Sequence, residues 1–407
     1  MTDQPRALLG GGTHPEAENR TWFPGIEALR ALAALAVVVE HCWALARGVP
    51  SFGFGIVPGL GNWGVDIFFL LSGFLLADFF WTDRRRPARE FYVRRFFRIA
   101  PAYYVCVGIL TVFFVQHSLL FSPAGFKGLL ALLTFTQWLW PTTSTNLNVN
   151  GSLWTLTIEM ILYLTLPLLA WLIAKRPVLA SLGLVALGAG YRLMVALDGA
   201  WLQQLRVGNN QVPTEIARLF LSRQFLGILP IFVLGIALRW AVIHGKLDRV
   251  LQWRGGPKSR PNLLILLVLL VPSLVFLRGL EPASYYEHWV RFTYFDYTVA
   301  LLAVPALLYA SRPISAELPR HMVPAVWMGE RSYGLYLWHF PVILSIYGIG
   351  SSGNPPDLHH LPVKIVLIFV ISIALAWGSY SLVELPAREY GRRVARRVGS
   401  RAVRGDA

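Results

Sequence analysis

The sequence predicts an all-α integral membrane protein with about ten transmembrane helices. Of its 407 residues, 55% are hydrophobic and only 14% are charged, whereas soluble domains carry about 25% charged residues. The apolar residues form long runs, and a helix needs about 20 such residues to cross the hydrocarbon core of a bilayer. Lipid is therefore the predicted solvent for most of the chain.

Ten apolar runs approach the length of a membrane span. They are residues 24–47, 63–81, 99–116, 153–174, 177–197, 223–243, 262–278, 293–310, 331–348 and 363–383. An eleventh run, 127–140, is too short and is predicted as a re-entrant or interfacial segment. Residues 1–22 are predicted as a disordered cytoplasmic tail, 23–386 as the transmembrane domain and 387–407 as a basic cytoplasmic tail.

Basic residues cluster in alternate loops. The loop 84–98 contains seven arginines and the loop 244–261 five basic residues, whereas the loops 48–62 and 141–152 contain none. Cytoplasmic loops attract Lys and Arg, so both termini are predicted to be cytoplasmic and 127–140 is not counted as a span. The net charge of +15 lies beside apolar runs, which favours anionic membrane lipids and not nucleic acid as the partner.

The first span contains three ionisable residues, Arg30, Glu40 and His41. Arg30 and His41 are eleven residues apart, which is close to three helical turns, so they share a face and lie about 16 Å apart along the axis. A neutral histidine can remove a proton from an attacking hydroxyl, which predicts a general base. The alternatives are an Arg30 that extends towards the membrane surface and a purely structural His41 with satisfied hydrogen bonds.

The second span contains Asp66 within the run Gly64–Phe74. This carboxylate is predicted to orient His41 or to pair with an arginine, and a hydrated position at the outer interface is the alternative. Ser72 and Gly73 are small enough to let two helices approach closely.

The fourth span contains Glu159. A glutamate inside the membrane has to be paired or protonated, and Arg30 is the candidate partner. Trp154 and Tyr163 belong to the same run and are predicted to contact substrate. Glu159 is the second candidate for holding His41.

Two further groups of residues are candidates for binding. Arg95 and Arg98 share a helix face, and their guanidinium groups suit the phosphates of a donor such as coenzyme A, with anionic lipid as the alternative ligand. Ser332, Tyr336 and His339 begin the ninth span and are predicted to contact substrate, with an aromatic belt at the membrane surface as the alternative.

Motifs of other enzyme classes are missing from the sequence. It has neither a phosphate-binding glycine loop nor a Gly-x-Ser-x-Gly elbow, and the pair His359-His360 has no further metal ligands nearby. Cys42 and Cys106 lie in apolar runs and are predicted to be small core residues. No metal is predicted.

The chain resembles the acyltransferase-3 family of bacterial integral membrane acyltransferases from about residue 22 to about residue 390. Six short motifs occur in the family's order, and together they are specific. They are Arg30-x10-His41, Gly64–Phe74, Arg95–Tyr103, Ser152–Tyr163, Ser332–His339 and Glu384-Leu385-Pro386.

The resemblance implies an enzyme of the bacterial cell membrane that transfers acyl groups other than amino-acyl groups. The expected donor is acyl-coenzyme A (acyl-CoA), and the expected acceptor is a hydroxyl of a glycan, a lipid or a secondary metabolite such as a macrolide. His41 is the expected base, and Arg30, Tyr163 and Tyr336 are the candidate donors to the oxyanion.

The sequence is compatible with more than one mechanism and more than one function. The acceptor can attack the donor directly, or His41 can carry the acyl group as an intermediate. The rival function is a multi-span exporter of a glycan or metabolite without acyl chemistry. A homo-oligomer is compatible with the sequence.

Overall fold

A computed structural model describes residues 23–46, 59–82, 87–115, 117–146, 150–197, 206–207, 210–248, 262–277, 289–312, 318–349 and 356–405. The predicted tail at 1–22, the arginines at 84–86 and the segments 47–58, 249–261 and 278–288 lie outside the described residues. Eight helices in the described part are long and apolar enough to cross a membrane, which confirms the all-α integral membrane fold.

The described helices follow one another along the chain. They are α1 Pro24–Leu45, α2 Leu60–Leu76, α3 Asp78–Thr82, α4 Ala88–Phe114, α5 His117–Leu120, α6 Pro123–Leu133, α7 Pro141–Asn146, α8 Trp154–Lys175, α9 Pro177–Leu197, α10 Thr214–Ser222, α11 Phe225–Ile243, α12 Leu263–Leu277, α13 Trp289–Ala310, α14 Val323–Glu330, α15 Ser332–Ile346, α16 Leu361–Ser379 and α17 Leu385–Gly405. One antiparallel pairing joins two-residue strands, β1 Arg206–Val207 and β2 Asn210–Gln211.

Each of the ten predicted spans contains a helix. Two of them, α12 and α15, have only 15 residues and are shorter than an ordinary span. The segment predicted at 127–140 begins inside the 11-residue helix α6 and continues past its end at Leu133, and α6 is also too short to cross. It begins earlier than predicted because Ser122 caps it by accepting a hydrogen bond from the N–H of Gly125, with Pro123 in the first turn.

Helix α1 lies at the centre of the bundle, where it contacts α2, α13, α14 and α15. Glycines allow the closest approaches. A Cβ at Gly73 of α2 would overlap the carbonyl oxygen of Phe232 in α11, and one at Gly235 of α11 would overlap the carbonyl oxygen of Leu70 in α2. The expected close packing at Gly73 is therefore confirmed.

The outward faces of the bundle are apolar. Large aliphatic and aromatic side chains on several helices are more than half exposed, as expected of surfaces in contact with lipid acyl chains and not with water. Examples are Val112, Phe113, Leu164, Leu168, Leu182, Leu264, Val268 and Val366.

The chain after α16 remains helical. A π-helical turn at Tyr380–Glu384 connects α16 to α17, and α17 packs along α4, where Gly391 contacts Phe97. The residues predicted as a basic tail therefore form a helix on the surface of the bundle.

The segment before α16 is held by an ion pair at its surface. Lys364 donates to the carboxylate of Asp357 over 2.6 Å, and the N–H of His359 donates to the same carboxylate. The Lys364 hydrogen bond is the main reason that the pKa of Asp357 lies below its ordinary value.

Candidate active site

Two histidines meet in the core of the bundle. His41 of α1 and His339 of α15 are joined by a hydrogen bond of 2.8 Å between Nδ1 of His41 and Nε2 of His339. Their ring planes are nearly parallel, at 18°, and the ring centroids are 5.1 Å apart. The sequence offered Asp66 and Glu159 as groups that hold His41, and in the structure the hydrogen-bonding partner is His339.

The hydrogen bonds define which nitrogen of His41 is basic. Nδ1 of His339 lies 3.1 Å from the carbonyl oxygen of Leu335, which can only accept, so this nitrogen carries the hydrogen. In a neutral His339 the other nitrogen, Nε2, then accepts from Nδ1–H of His41. Nε2 of a neutral His41 is left with a free lone pair, which is the state that a general base requires.

The segment at the start of α8 fixes the position of α15. The side-chain amide of Asn150 donates to the carbonyl oxygen of Leu337 over 2.9 Å, and the hydroxyl of Ser152 donates to Asn150 over 2.7 Å. Thr155 donates to the hydroxyl of Tyr336 over 2.8 Å, and that hydroxyl donates to the carbonyl oxygen of Ser152. Two motifs that are far apart in sequence therefore share one hydrogen-bonded network beside His339.

The aromatic-belt alternative does not fit these residues. Ser332 and His339 are fully buried and Tyr336 is 8% exposed, whereas a belt would place the rings at the membrane surface. The side chains of α15 instead point into the bundle.

Asp66 belongs to a separate set of charged residues, one of which, Arg223, also interacts electrostatically with His41. Arg192 of α9 forms a 2.6 Å ion pair with Asp296 of α13, and both interact electrostatically with Asp66. Arg223 also interacts with Asp66 and stacks over the ring of Trp154 at 4.6 Å.

No sequence motif marks Arg192, Arg223 or Asp296 as a site residue. The signal was available, because all three lie within predicted spans and an ionisable residue inside a span usually marks function. Whether such ionisable residues meet in one place depends on the packing of α9, α11 and α13, which no local sequence pattern specifies.

The predicted Arg30 and Glu159 lie in a separate cluster towards the opposite end of α1. Arg30 is 3.7 Å from Glu27 and interacts electrostatically with Glu159 and Tyr163. The hydroxyl of Tyr163 donates to Glu159. Glu159 is therefore hydrogen-bonded to a tyrosine, with Arg30 as a more distant counter-charge.

The two arginines predicted to bind phosphate belong to the same cluster. Arg98 interacts electrostatically with Glu159, Glu384 and Arg388. Glu384 and Arg388 form a 2.8 Å ion pair. Arg95 lies over the ring of Phe91 and interacts with Glu159.

The predicted site residues thus form two groups. One group lies towards the His41 end of α1, and the other, with Glu159, Tyr163 and Arg98, lies around Arg30. Ser332 lies two turns before His339 in α15. Arg30 and His41 lie about 16 Å apart along α1. No group of three or more His, Cys, Asp or Glu that could hold a metal ion is found among the described residues.

Most of the chain matches a known protein family. Residues 23–380 match the acyltransferase domain of the acyltransferase-3 family. No solved structure matches the chain.

Curated relatives match over most of this chain. YrhL of Bacillus subtilis is 27% identical over 94% of this chain and 58% of its own length. The peptidoglycan O-acetyltransferase OatA of Listeria monocytogenes is 26% identical over 92% of this chain and 57% of its own length. The O-acetyltransferase OatA of Staphylococcus aureus is 25% identical, with 91% and 58% covered. The chain therefore spans a little over half the length of these relatives.

Proposed function

Because the chain belongs to the acyltransferase-3 family, we propose that it transfers an acyl group to a hydroxyl of an acceptor, with His41 as the general base. The observation that carries this proposal is the series of hydrogen bonds from His41 through His339 to Leu335. This series leaves one nitrogen of His41 unprotonated and fixes the ring. The family membership favours this function over the exporter alternative.

The proposed reaction is acyl transfer by direct attack. Nε2 of His41 takes the proton of the acceptor hydroxyl, and the oxygen forms a bond to the carbonyl carbon of a thioester. The tetrahedral intermediate then breaks its carbon–sulfur bond, and the protonated His41 returns the proton to the departing thiolate. His339 holds the ring during both proton transfers and shares the positive charge through its hydrogen bond.

The oxyanion donors offered by the sequence are already engaged in this arrangement. The hydroxyl hydrogens of Tyr336 and Tyr163 are donated to Ser152 and Glu159, and Arg30 lies about 16 Å from His41 along the helix axis. None of the three residues therefore presents a free hydrogen-bond donor to an oxyanion formed beside Nε2 of His41.

The cluster around Arg30 is the proposed donor site. Arg95 and Arg98 have guanidinium groups that match the phosphates of an acyl-CoA, and both are half-buried at one end of the bundle. A thioester held there has to reach towards His41 through the bundle, since about 16 Å separate the two groups along α1.

The proposed acceptor is a hydroxyl of an envelope glycan, and the proposed acyl group is acetyl. All three of these relatives carry names that specify O-acetyltransferases, and two of the names specify peptidoglycan. A secondary metabolite such as a macrolide is the alternative acceptor.

The test uses membranes that carry the full chain and isotope-labelled acetyl-CoA. We expect label in alkali-labile ester groups of the glycan with the wild type. His41→Ala should reduce the transfer by about 10²–10⁴-fold, at normal levels of protein in the membrane. His244→Ala is the matched control, because His244 is exposed and its hydrogen bond in the described part of the chain is to the carbonyl oxygen of Trp240. Equal transfer by His41→Ala and the wild type would overturn the proposal, as would a wild type that exports its solute at unchanged mass.

A further inference from the structure

Helix α17 continues the last membrane span out of the bilayer. The chain is helical without a break from Leu361 to Gly405, which corresponds to about 67 Å at 1.5 Å per residue. The hydrocarbon core is only about 30 Å thick, and α16 alone has about that length. Helix α17, which carries seven arginines, therefore lies largely outside the core, on the side that the loop charges predict to be cytoplasmic.

One side of α17 is covered by α4. A Cβ at Gly391 would overlap Phe97 of α4, and one at Gly399 would come within 3.0 Å of the carboxylate of Glu90. These contacts follow opposite chain directions, so the two helices are antiparallel. Gly391 and Ala395 are buried on this side. The pairing therefore fixes which side of α17 is turned outwards.

The opposite side of α17 is exposed and basic. Arg393, Arg396 and Arg397 are exposed, and together with the exposed Tyr390 they lie within an arc of about 120° around the helix. Glu389 is the only acidic residue in the sequence of α17, and its side chain is half-buried. The basic face, which comprises Arg393, Arg396 and Arg397, is therefore turned away from the bundle.

The side chains next to the basic face indicate its depth in the membrane. Leu382, in the π-helical turn, is largely exposed, and Tyr390, two turns later, is more than half exposed. Phe96 of α4 is also exposed, and its neighbour Phe97 contacts the ring of Tyr390. Exposed apolar side chains suit lipid acyl chains, aromatic rings suit the interface and arginines suit the headgroups. This order places the basic face at the level of the lipid phosphates.

Anionic phospholipid is the partner that best fits this surface. The planar guanidinium group matches the geometry of a phosphate, and basic residues close to the membrane surface are attracted to anionic lipid. A soluble acidic protein would also match the charge, but it would leave the exposed leucine and aromatic rings beside the basic face unexplained.

Helix α17 also carries a residue of the proposed donor cluster. Arg388, near its start, forms a 2.8 Å ion pair with Glu384 and interacts electrostatically with Arg98 of α4. Arg388 lies on the covered side of α17. A ligand that holds the basic face therefore also holds Arg388 against the cluster.

We propose that the basic face of α17 binds the headgroup of an anionic phospholipid in the cytoplasmic leaflet, and that the bound lipid holds Arg388 in the donor cluster. The first part of this inference is independent of the proposed function, and the second part rests on it.

The first test measures lipid binding to the detergent-purified full chain by native mass spectrometry. The anionic probe is phosphatidylglycerol and the zwitterionic probe is phosphatidylcholine. We expect the wild type to bind phosphatidylglycerol more tightly than phosphatidylcholine. The triple variant Arg393→Gln/Arg396→Gln/Arg397→Gln should weaken binding of phosphatidylglycerol by about tenfold or more and change binding of phosphatidylcholine less than twofold.

The triple variant Lys175→Gln/Arg176→Gln/Lys246→Gln is the matched control. It removes the same charge from exposed residues on the same predicted side of the membrane and should bind both lipids as the wild type does. The inference is overturned if the basic-face variant binds phosphatidylglycerol as the wild type does, or if the control weakens that binding equally. A wild type without preference for phosphatidylglycerol would also overturn it and would favour an acidic protein as the partner.

A second measurement keeps the test decisive if the basic-face variant does not fold. Higher salt screens exposed charges, so it should weaken binding of phosphatidylglycerol to the wild type and leave binding of phosphatidylcholine unchanged. Binding of phosphatidylglycerol that does not respond to salt would overturn the inference.

The second part is tested by labelled acetyl transfer in nanodiscs of phosphatidylcholine with and without phosphatidylglycerol. We expect phosphatidylglycerol to raise the wild-type rate by about threefold or more and to leave the rate of the basic-face variant unchanged. Equal wild-type rates in the two kinds of nanodisc would contradict the effect on Arg388. Lipid binding that depends on the basic face, without transfer in either nanodisc, would contradict the proposed function and retain the lipid site.

Discussion

At the scale of single residues, the hydroxyl of Tyr336 distinguishes a positioning role from an oxyanion role. It accepts from Thr155 and donates to the carbonyl oxygen of Ser152. We therefore expect Tyr336→Phe to reduce the rate constant of acyl transfer by about tenfold or less, because the loss acts through the position of α15.

The measurement is the initial rate of labelled acetyl transfer at saturating donor. Removal of an oxyanion donor costs about 10²–10³-fold, so a loss of that size in Tyr336→Phe would mean that the hydroxyl stabilises the transition state directly.

The histidine pair illustrates which features of the site can be predicted from the sequence and which cannot. Arg30 and His41 are recognisable because they share one helix, where spacing fixes their relative positions. His339 was predicted as a substrate contact, and its hydrogen bond to His41 joins residues 298 positions apart. That pairing depends on how α1 and α15 pack, which local periodicity does not encode.

At the scale of elements, close packing of α2 against α11 depends on two glycines. A Cβ at Gly73 or Gly235 would overlap backbone atoms of the partner helix, and backbone cannot move aside as a flexible side chain can. We expect Gly235→Ala to destabilise the protein by about 1–3 kcal/mol, measured as a lower Tm of the purified protein.

Gly183→Ala is the matched control for this prediction. Gly183 lies in α9, and a Cβ there would meet nothing within 4 Å, so the substitution should leave Tm unchanged or raise it through helix propensity. Equal effects of the two substitutions would show that propensity and not packing determines the result.

The ion pair between Arg192 and Asp296 connects α9 to α13. Arg192 is 1% exposed, and it also donates to the carbonyl oxygens of Gly227 and Ser222. Arg192→Met removes the cation that lies 2.6 Å from the buried Asp296, so we expect a loss of about 3–5 kcal/mol of stability, measured by thermal unfolding.

The double variant Arg192→Met/Asp296→Leu tests the cause of that loss. It removes both charges and should recover part of the stability, although the two carbonyl oxygens remain without their donor. A double variant that is less stable than Arg192→Met would contradict an unpaired charge as the cause.

Helices were more predictable from the sequence than their limits. The apolar runs located a helix in each of the ten predicted spans, because burial in lipid demands long apolar helices, and eight helices in the described part are long and apolar enough to cross. The start of α6 was missed because the cap at Ser122 and Pro123 decides it. The residues after 387 were predicted as a tail because they are strongly basic, and their helix is supported by packing on α4.

At the scale of the whole molecule, the orientation in the membrane remains a prediction from loop charge. It places Arg176, between α8 and α9, in the cytoplasm and His359, before α16, on the outer side. We expect His359→Cys to react with a membrane-impermeant maleimide in intact cells, and Arg176→Cys to react only after the membrane is permeabilised.

The native cysteines provide a low background for this labelling. Cys42 is 5% exposed and Cys106 is fully buried. The reverse labelling pattern would contradict the predicted orientation.

The two ends of the bundle fit a reaction in which a donor binds near Arg30 and an acceptor binds near His41. In this reaction His41 acts as the base, and the hydrogen bond from His339 holds the His41 ring in position. The most direct measurement is the initial rate of labelled acetyl transfer in membranes with equal amounts of the wild type, His339→Gln, His339→Ala and His41→Ala. We expect the rate to fall in this order, because the amide oxygen of a glutamine can still accept from Nδ1–H of His41. A wild-type rate with His41→Ala, or a rate with His339→Gln no higher than with His339→Ala, would contradict it.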